Sequence, residues 1–506
     1  MKNKEKNRSE YSKKGAVTAI LSNVIKIALG FVNRKIFVMF LGATIVGLNG
    51  LFGNIVSMLA ISELGIGTAI ISQLYGPVAR GDKQKIRKLL KFYKKAYAGI
   101  MAVMIVAGLA VVPFLTLIAG EHVDGMELYY ILFLADVVIS YVVAYKRSLI
   151  SAHQREYTLN IIQIIYAVVM NAFQIGLLFA TKSFTVFLIV KLVSRLFENA
   201  MISVTYRKDY KWVEEEEVDE LAKNEKKVIT TKVKALFLHK ISSFLVFGTD
   251  NIIISNLFGL VTTGLYANYF LIINSVQVLL GQMFGAVIPS VGNLLAKESK
   301  EKTHSVFKAS MMLEFFVTSF AATCMLTLLQ PFVTIWLGDE YLLAMPVVAM
   351  LAVAFYSNVT RNTPTVFKTA AGIFEPDKHV PFIESLVNLV VSIVLGMWMG
   401  LIGVFIGTFV SSLVVHLYSY PKFVYKKLFG RKAFEYVLEW GKYFLIALVE
   451  LLIVFGLTNL VKFDSSWATL FANAGICLLV PNLINLALFG RSSEFKYLME
   501  KFGKKC

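Results

Sequence analysis

The stretch SNVIKIALGFVNRKIFVMFLG, residues 22–42, is apolar enough to cross a bilayer, yet it carries Lys26, Arg34 and Lys35 with no acid among them. About twenty helical residues, at about 1.5 Å each, cover a hydrocarbon core of about 30 Å. A charge at the centre of such a helix costs about 2.5–3.5 kcal/mol on insertion scales, so cations there turn toward a wet interior rather than lipid. Asn23, Lys26, Gly30 and Arg34 step by three, four and four residues, which puts them on one helical face. Lys26 lies about 15 Å of rise from either interface, too far for its stem to snorkel easily. Arg34 and Lys35 lie nearer the end, where snorkelling competes.

The rest of the chain repeats this apolar pattern. It is 57% hydrophobic with a mean hydropathy of +0.66, beyond what a soluble protein carries. Fourteen spans are expected, at about 15–41, 43–75, 96–119, 127–147, 158–180, 183–206, 235–258, 262–293, 305–330, 341–363, 381–399, 401–421, 441–461 and 467–489. With these spans, 42 of the 51 Lys and Arg fall on one side and only Lys182 and Lys462 on the other. That asymmetry predicts cytoplasmic termini, and it accounts for most of the +18 charge without nucleic acid. No cleavable leader is expected after MKNKEKNRSEYSKK, because the apolar run continues past residue 40 without a small-residue cleavage pattern. Cys324, Cys477 and Cys506 are far apart, which speaks against a disulfide framework or a CxxC metal site.

The segment KWVEEEEVDELAKNEKK (211–227) divides the chain after six spans. Its acidic run reads as a solvated cytoplasmic helix, with a docking surface as the alternative. Six is even, so the second half enters in the same orientation and a repeat is parallel. LGATIVGLN (41–49) and FGLVTTGLY (258–266) share Gly, four residues, Gly-Leu at an offset of 217. YGPVARGDKQK (75–85) and VGNLLAKESKE (291–301) leave their spans in similar ways. The expected fold is an all-α polytopic membrane protein. Its parts are a six-helix lobe at 1–206, a cytoplasmic linker at 207–234, a second six-helix lobe at 235–425, and a helix pair with a cytoplasmic tail at 426–506.

The run LGATIVGLNGLFGNIVSMLAISELGIGTAIISQLYGPVARGDKQKI (41–86) resembles the second span and following basic loop of Wzx-type polysaccharide flippases, with SELGIG (62–67) its most specific part. These belong to the multidrug, oligosaccharidyl-lipid and polysaccharide (MOP) export superfamily, and the 6+6+2 plan fits over essentially the whole chain. The resemblance implies two lobes around a cavity that opens alternately to the two sides. Its implied cargo is an undecaprenyl-diphosphate-linked oligosaccharide, carried to the outer leaflet of the bacterial cytoplasmic membrane. It also implies a polysaccharide polymerase and glycosyltransferases as pathway partners.

Candidate substrate residues are then Lys26, Arg34 and Lys35 with Asn33 on the first span, Asn54 on the second, Arg195 on the sixth and Arg361 at the end of the tenth. Arg195 and Glu198 are also spaced for an i,i+3 pair. Glu63 is a candidate gate. Across the offset of 217, Asp250 takes the place of Asn33, and Glu384 and Asn388 share one face of the eleventh span. In the related lipid II flippases an acid on the seventh span and a polar pair on the eleventh hold sodium. The resemblance therefore implies a coupling-cation site for Na+ or H+ at Asp250, Glu384 and Asn388.

No enzyme motif is present: there is no P-loop and no HExxH, and the six histidines are scattered. A polysaccharide polymerase or glycosyltransferase would need large outward loops, whereas these are short. A drug/cation antiporter of the same superfamily is the closer alternative, but it calls for an acid-lined first lobe.

Overall fold

The computed structural model of the chain describes residues 2–60, 66–216, 218–227, 229–230, 249–373, 377, 379–461 and 463–503. Nearly all of these are helical, and none forms a strand. Two units are compact in themselves: Met1–Phe244 with Gly259–Gly264, and Leu245–Phe258 with Leu265–Cys506.

In the first unit, α1 (Lys2–Leu59) bends at Gly42, where φ 73 and ψ 176 leave the helical region. Such a positive φ is readily taken only by glycine. Next come α2 (Ile66–Arg80) and α3 (Lys83–Val111), whose first turn is capped by the Asp82 carboxylate accepting from the Lys85 amide. The helices α4 (Met126–Tyr141) and α5 (Ala144–Ala152) meet at 42°. They are followed by α6 (Glu156–Thr181) and α7 (Phe184–Tyr210), the latter capped by Ser183. Helix α6 packs against both α1 and α7, and α4 packs against α7. A core of Tyr93, Tyr97, Leu149 and Tyr206 fills one end.

In the second unit, α8 (Asp250–Gly285) is followed by α9 (Ile288–Lys297), α10 (Lys300–Trp336), α11 (Met345–Val359) and α12 (Asn362–Ala370). Then α13 (Val380–Met399) pairs with α14 (Leu401–Val414), which continues through wider π-helical turns to Phe429. The chain finishes with α15 (Ala433–Leu460), α16 (Ser466–Phe489) and α17 (Ser493–Gly503). Helix α10 is the hub here: α11, α15 and α16 all pack on it.

The sequence repeat has a structural counterpart. Gly259 breaks α8 at φ 82, ψ 170, just as Gly42 breaks α1. A Cβ on Gly47 would lie 2.0 Å from the Leu260 carbonyl oxygen, and one on Gly264 would lie 2.0 Å from the Ala43 carbonyl oxygen. The offset of 217 that relates the two glycine pairs also relates Ala43 to Leu260. Such reciprocity, i on j and j on i, is what twofold-related segments produce. Gly259–Gly264 belongs to the first unit by virtue of this crossing.

Among the described residues nine helices pass for membrane spans by length and apolarity, ten if α4 and α5 are one bent span. The difference from the expected fourteen has stated causes. Lys2–Leu59 carries two expected spans joined at Gly42. The cations and acid of α7 spoil its window, and α11 is only 15 residues long. Most of the expected seventh span lies outside the described residues.

One expectation is corrected. The acidic linker is not a solvated helix: 214–216 and 218–222 are turn and irregular chain, laid along α3. Glu216 pairs with Arg87, Glu220 with Lys95 and Lys226, and Glu225 with Lys85. Arg87 also donates to the Trp212 carbonyl at 2.9 and 2.6 Å, and Lys91 to that of Val218 at 2.7 Å. Four adjacent glutamates repel one another in an isolated helix, and of these Glu216 is neutralised by Arg87 on α3. Cys324 and Cys477, far apart in sequence, come together as free thiols where α10 meets α16, with Cys477 Sγ 3.0 Å from Thr327 Oγ1.

Candidate functional site

The polar residues of the first unit converge on α1, α6 and α7. Lys26 Nζ donates to Gln163 Oε1 on α6 at 2.7 Å. Asn33 Nδ2 donates to Asn171 Oδ1 at 2.7 Å and to Gln174 Oε1 at 3.0 Å, tying α1 to the same helix. Arg34 is partly buried and engaged, and Lys35 is exposed. Asn54 is half-buried and engaged, and Glu63 lies outside the described residues.

Arg195 donates from Nε to Asp136 Oδ1 at 3.0 Å and pairs with Glu198 one turn on. Lys191 Nζ lies 3.3 Å from Asp136 Oδ2, and Arg147 lies 3.0 Å from Glu198 Oε1. Asp136 is 3% exposed and Glu198 1%, so both acids are neutralised inside the protein. The Arg195 guanidinium also lies over the Tyr166 ring, 4.6 Å from its centre. Lys26 is within electrostatic reach of Glu198 and Arg147. Among the described residues the group therefore sets Lys26, Arg147, Lys191 and Arg195 against the carboxylates of Asp136 and Glu198, a surplus of two positive charges. A cavity of about 180 Å³ opens beside it, with Arg147, Gln163, Glu198 and a further carboxylate, Glu156, in its wall.

The sequence-based set omits Asp136, Arg147 and Gln163. Asp136 is detectable as a lone acid in an apolar span, but its partners stand more than fifty residues away on α7. Arg147 counts there only as a topology charge, and Gln163 has no sequence signal.

In the second unit Arg361 and Glu384, expected to serve substrate and coupling cation separately, form one ion pair, and both are buried or nearly so. Arg361 NH1 also reaches Asn358 Oδ1 at 3.4 Å. Asn388 is wholly buried and donates to Thr408 Oγ1 and Ser411 Oγ, each at 3.4 Å, while Thr249 Oγ1 donates to its Oδ1 at 3.5 Å. Asp250 is 9% exposed, and its Oδ1 has no hydrogen-bond partner among the described residues. Asp250 follows Thr249 directly, so one hydrogen-bonded neighbour separates it from Asn388, while Glu384 is engaged elsewhere. Among the described residues no group of three or more His, Cys, Asp or Glu is placed to hold a metal ion.

The fold has known counterparts. The chain aligns with the lipid II flippase MurJ in its inward closed conformation at a TM-score of 0.68 and 15% identity, covering 94% of this chain and 98% of that one. An inward-facing multidrug resistance MATE family transporter of the MOP superfamily aligns at 0.59 and 12% identity, covering 78% and 96%. The Vibrio cholerae MATE transporter VcmN in its bent form aligns at 0.51 and 13%, covering 87% and 98%. At these identities the likeness is one of fold. No curated protein sequence matches the chain. Residues 12–295, more than half of the chain, match the family model described as polysaccharide biosynthesis protein. The chain therefore belongs to the polysaccharide biosynthesis protein family, and it is a multi-pass membrane protein whose fold is like that of the lipid II flippase and MATE transporter structures.

Proposed function

We propose that the protein is a flippase for an undecaprenyl-diphosphate-linked oligosaccharide, moving the repeat unit from the cytoplasmic to the outer leaflet for surface polysaccharide synthesis. The observation that supports this reading is that, among the described residues, the four cations Lys26, Arg147, Lys191 and Arg195 outnumber the two buried acids they surround. A lipid diphosphate carries about two negative charges, and charge-assisted hydrogen bonds from Lys26, Arg34 and Arg147 would hold it while the lipid tail stays in the bilayer. Lys35, Asn33, Asn54, Arg195 and Arg361 are the further substrate candidates, with Glu63 as gate. A drug/cation antiporter would need the opposite sign of charge in this unit.

The membrane potential helps such an export. Moving one charge through 100 mV is worth about 2.3 kcal/mol, so a diphosphate leaving a negative cytoplasm gains about 4–5 kcal/mol. The empty carrier must still return, and a Na+ or H+ bound at Asp250 and Asn388, with Glu384 nearby on the same helix as Asn388, would bias that return by favouring one conformation. Both termini then lie in the bacterial cytoplasm, with the pathway's polymerase and glycosyltransferases as partners.

The test is genetic and then chemical. Deletion should remove one surface polymer and leave lipid-linked repeat units inside. Lys26→Ala should abolish export at normal membrane levels of the protein. Wild-type export by both Lys26→Ala and Lys26→Glu would refute the diphosphate role.

A further inference from the structure

Glu450, in the middle of α15, is wholly buried, and neither carboxylate oxygen has a hydrogen-bond partner among the described residues. Its polar neighbours are the Ser319 hydroxyl on α10 and the Asn485 amide on α16. Asn485 donates from Nδ2 to Ser319 Oγ at 3.4 Å, while its own Oδ1 is left without a donor. Among the described residues no cation pairs with Glu450. The titratable group facing it from α11 is Tyr356, whose hydroxyl is also unpartnered among them. Tyr356 is in reach of Tyr443 on α15 and of Glu314 on α10 as well, and Glu314 is already engaged by the Thr363 amide at 3.0 Å.

Burial decides the state of the carboxyl. As an anion, Glu450 would be a buried charge in an apolar interface with no cation paired to it among the described residues. One proton on it removes that charge. A sodium ion would have to be ringed by oxygens, whereas the buried neighbours on α15 are Ala447, Leu451 and Val454.

Position gives the proton somewhere to go. Helices α10 and α15 run together from one cavity of about 590 Å³, walled by Glu301, His304, Lys308, Glu439 and Glu494, to another of about 430 Å³, walled by Thr327, Gln330, Thr458 and Asn473. Glu450 lies between them, about 12 Å of helix rise from Lys442 in the first wall and about 7.5 Å from Phe455 in the second. Tyr443 is in electrostatic reach of Glu439 and Glu494 in the wall of the first cavity, Tyr356 is in reach of Tyr443, and Glu450 is in reach of Tyr356. On the other side Thr327 contacts both Cys477 and Asn473.

We infer that Glu450, with Ser319 and Asn485, is an exchangeable proton-binding site, filled from the cavity of Glu439 and Glu494 through Tyr443 and Tyr356. The carboxyl gains or loses a proton, the hydroxyls relay it, and nothing is oxidised. Glu450 and Asn485 lie in the helix pair outside the internal repeat, with Ser319 on α10 facing them, and the site does not depend on the identity of the transported lipid.

The test uses the full chain in nanodiscs without substrate, counting protons released on a jump from mildly acidic to mildly alkaline pH. Glu450→Gln should release one proton fewer than wild type, and Asp250→Asn should not change that difference. Ser319→Ala and Asn485→Leu, which keep the carboxyl, should move the midpoint of its release, and Tyr356→Phe should slow it. Equal release from wild type and Glu450→Gln would mean a permanently closed, structural carboxyl and overturn the proposal. So would unchanged midpoints and rates in the other three variants. Displacement of the proton at fixed pH by sodium but not by potassium would reassign the site to sodium and overturn it as well.

Discussion

Replacing Gly47 by alanine puts a methyl group 2.0 Å from the carbonyl oxygen of Leu260 and 3.0 Å from the amide nitrogen of Gly264. Ordinary contact begins at 3.4 Å, so the crossing has to open by about 1.4 Å along the first line. Both obstacles are backbone, and no rotamer change relieves them. Overpacking of this kind costs about 1–3 kcal/mol, and the absence of a soft neighbour places Gly47→Ala toward the upper end. Gly264→Ala makes the reciprocal clash with Ala43, also at 2.0 Å. One opening of the crossing accommodates both methyl groups, so the double variant should cost about as much as the worse single variant, not the sum. Thermal unfolding in detergent, followed by tryptophan fluorescence, measures this directly. Each single variant should melt below wild type, and the double should coincide with the lower of them. A Gly47→Ala protein that melts with wild type, or two losses that add, would refute a shared backbone contact.

Three further outcomes are expected. Arg361→Ala or Glu384→Ala leaves a buried charge unpaired and should destabilise the protein by about 3–5 kcal/mol, while Arg361→Met with Glu384→Leu recovers most of it in the same melting assay. Asp250→Asn should slow turnover without weakening headgroup binding and abolish any dependence of export on the sodium or proton gradient; unchanged rate and ion dependence would leave Asp250 a structural residue. In the linker, hydrogen bonds from Lys226 and Lys95 hold the Glu220 carboxyl down at about 2, below its ordinary 4.5. Its contribution is therefore present above pH 4.5 and lost as pH falls toward 2, so mild acid should leave 218–222 docked. High salt screens exposed pairs and should release the segment, as read by hydrogen exchange.

The helices are legible because each is an apolar run of the right length, and the repeat is legible because glycine is the one residue that both bends a helix at positive φ and lets two backbones touch. The pairing of charges is less so. Lys26 is conspicuous as a cation in an apolar helix, but its partner Gln163 leaves no trace in periodicity. Arg361 and Glu384 each carry a functional signature alone, and only the ion pair in the folded chain shows that they answer each other. Glu450 and Glu314 escape a reading of the sequence because a single acid in a late span looks like noise until its neighbours from other helices are known. Sequence reports one helix face at a time, whereas a polar site is assembled from three.

The strap of linker along α3 also bears on how the protein can be handled. Trypsin needs an extended, accessible lysine or arginine, and here Lys85, Arg87, Lys91, Lys95 and Lys226 are all engaged with the linker's own carboxylates and carbonyls. A cut at Lys226 should therefore follow the lifting of the strap rather than precede it, which makes the rate of that nick a clock for undocking. For the same reason a fluorescent protein inserted between Trp212 and Glu220 would tear the strap from its helix, whereas one fused at either end of the chain would leave it in place.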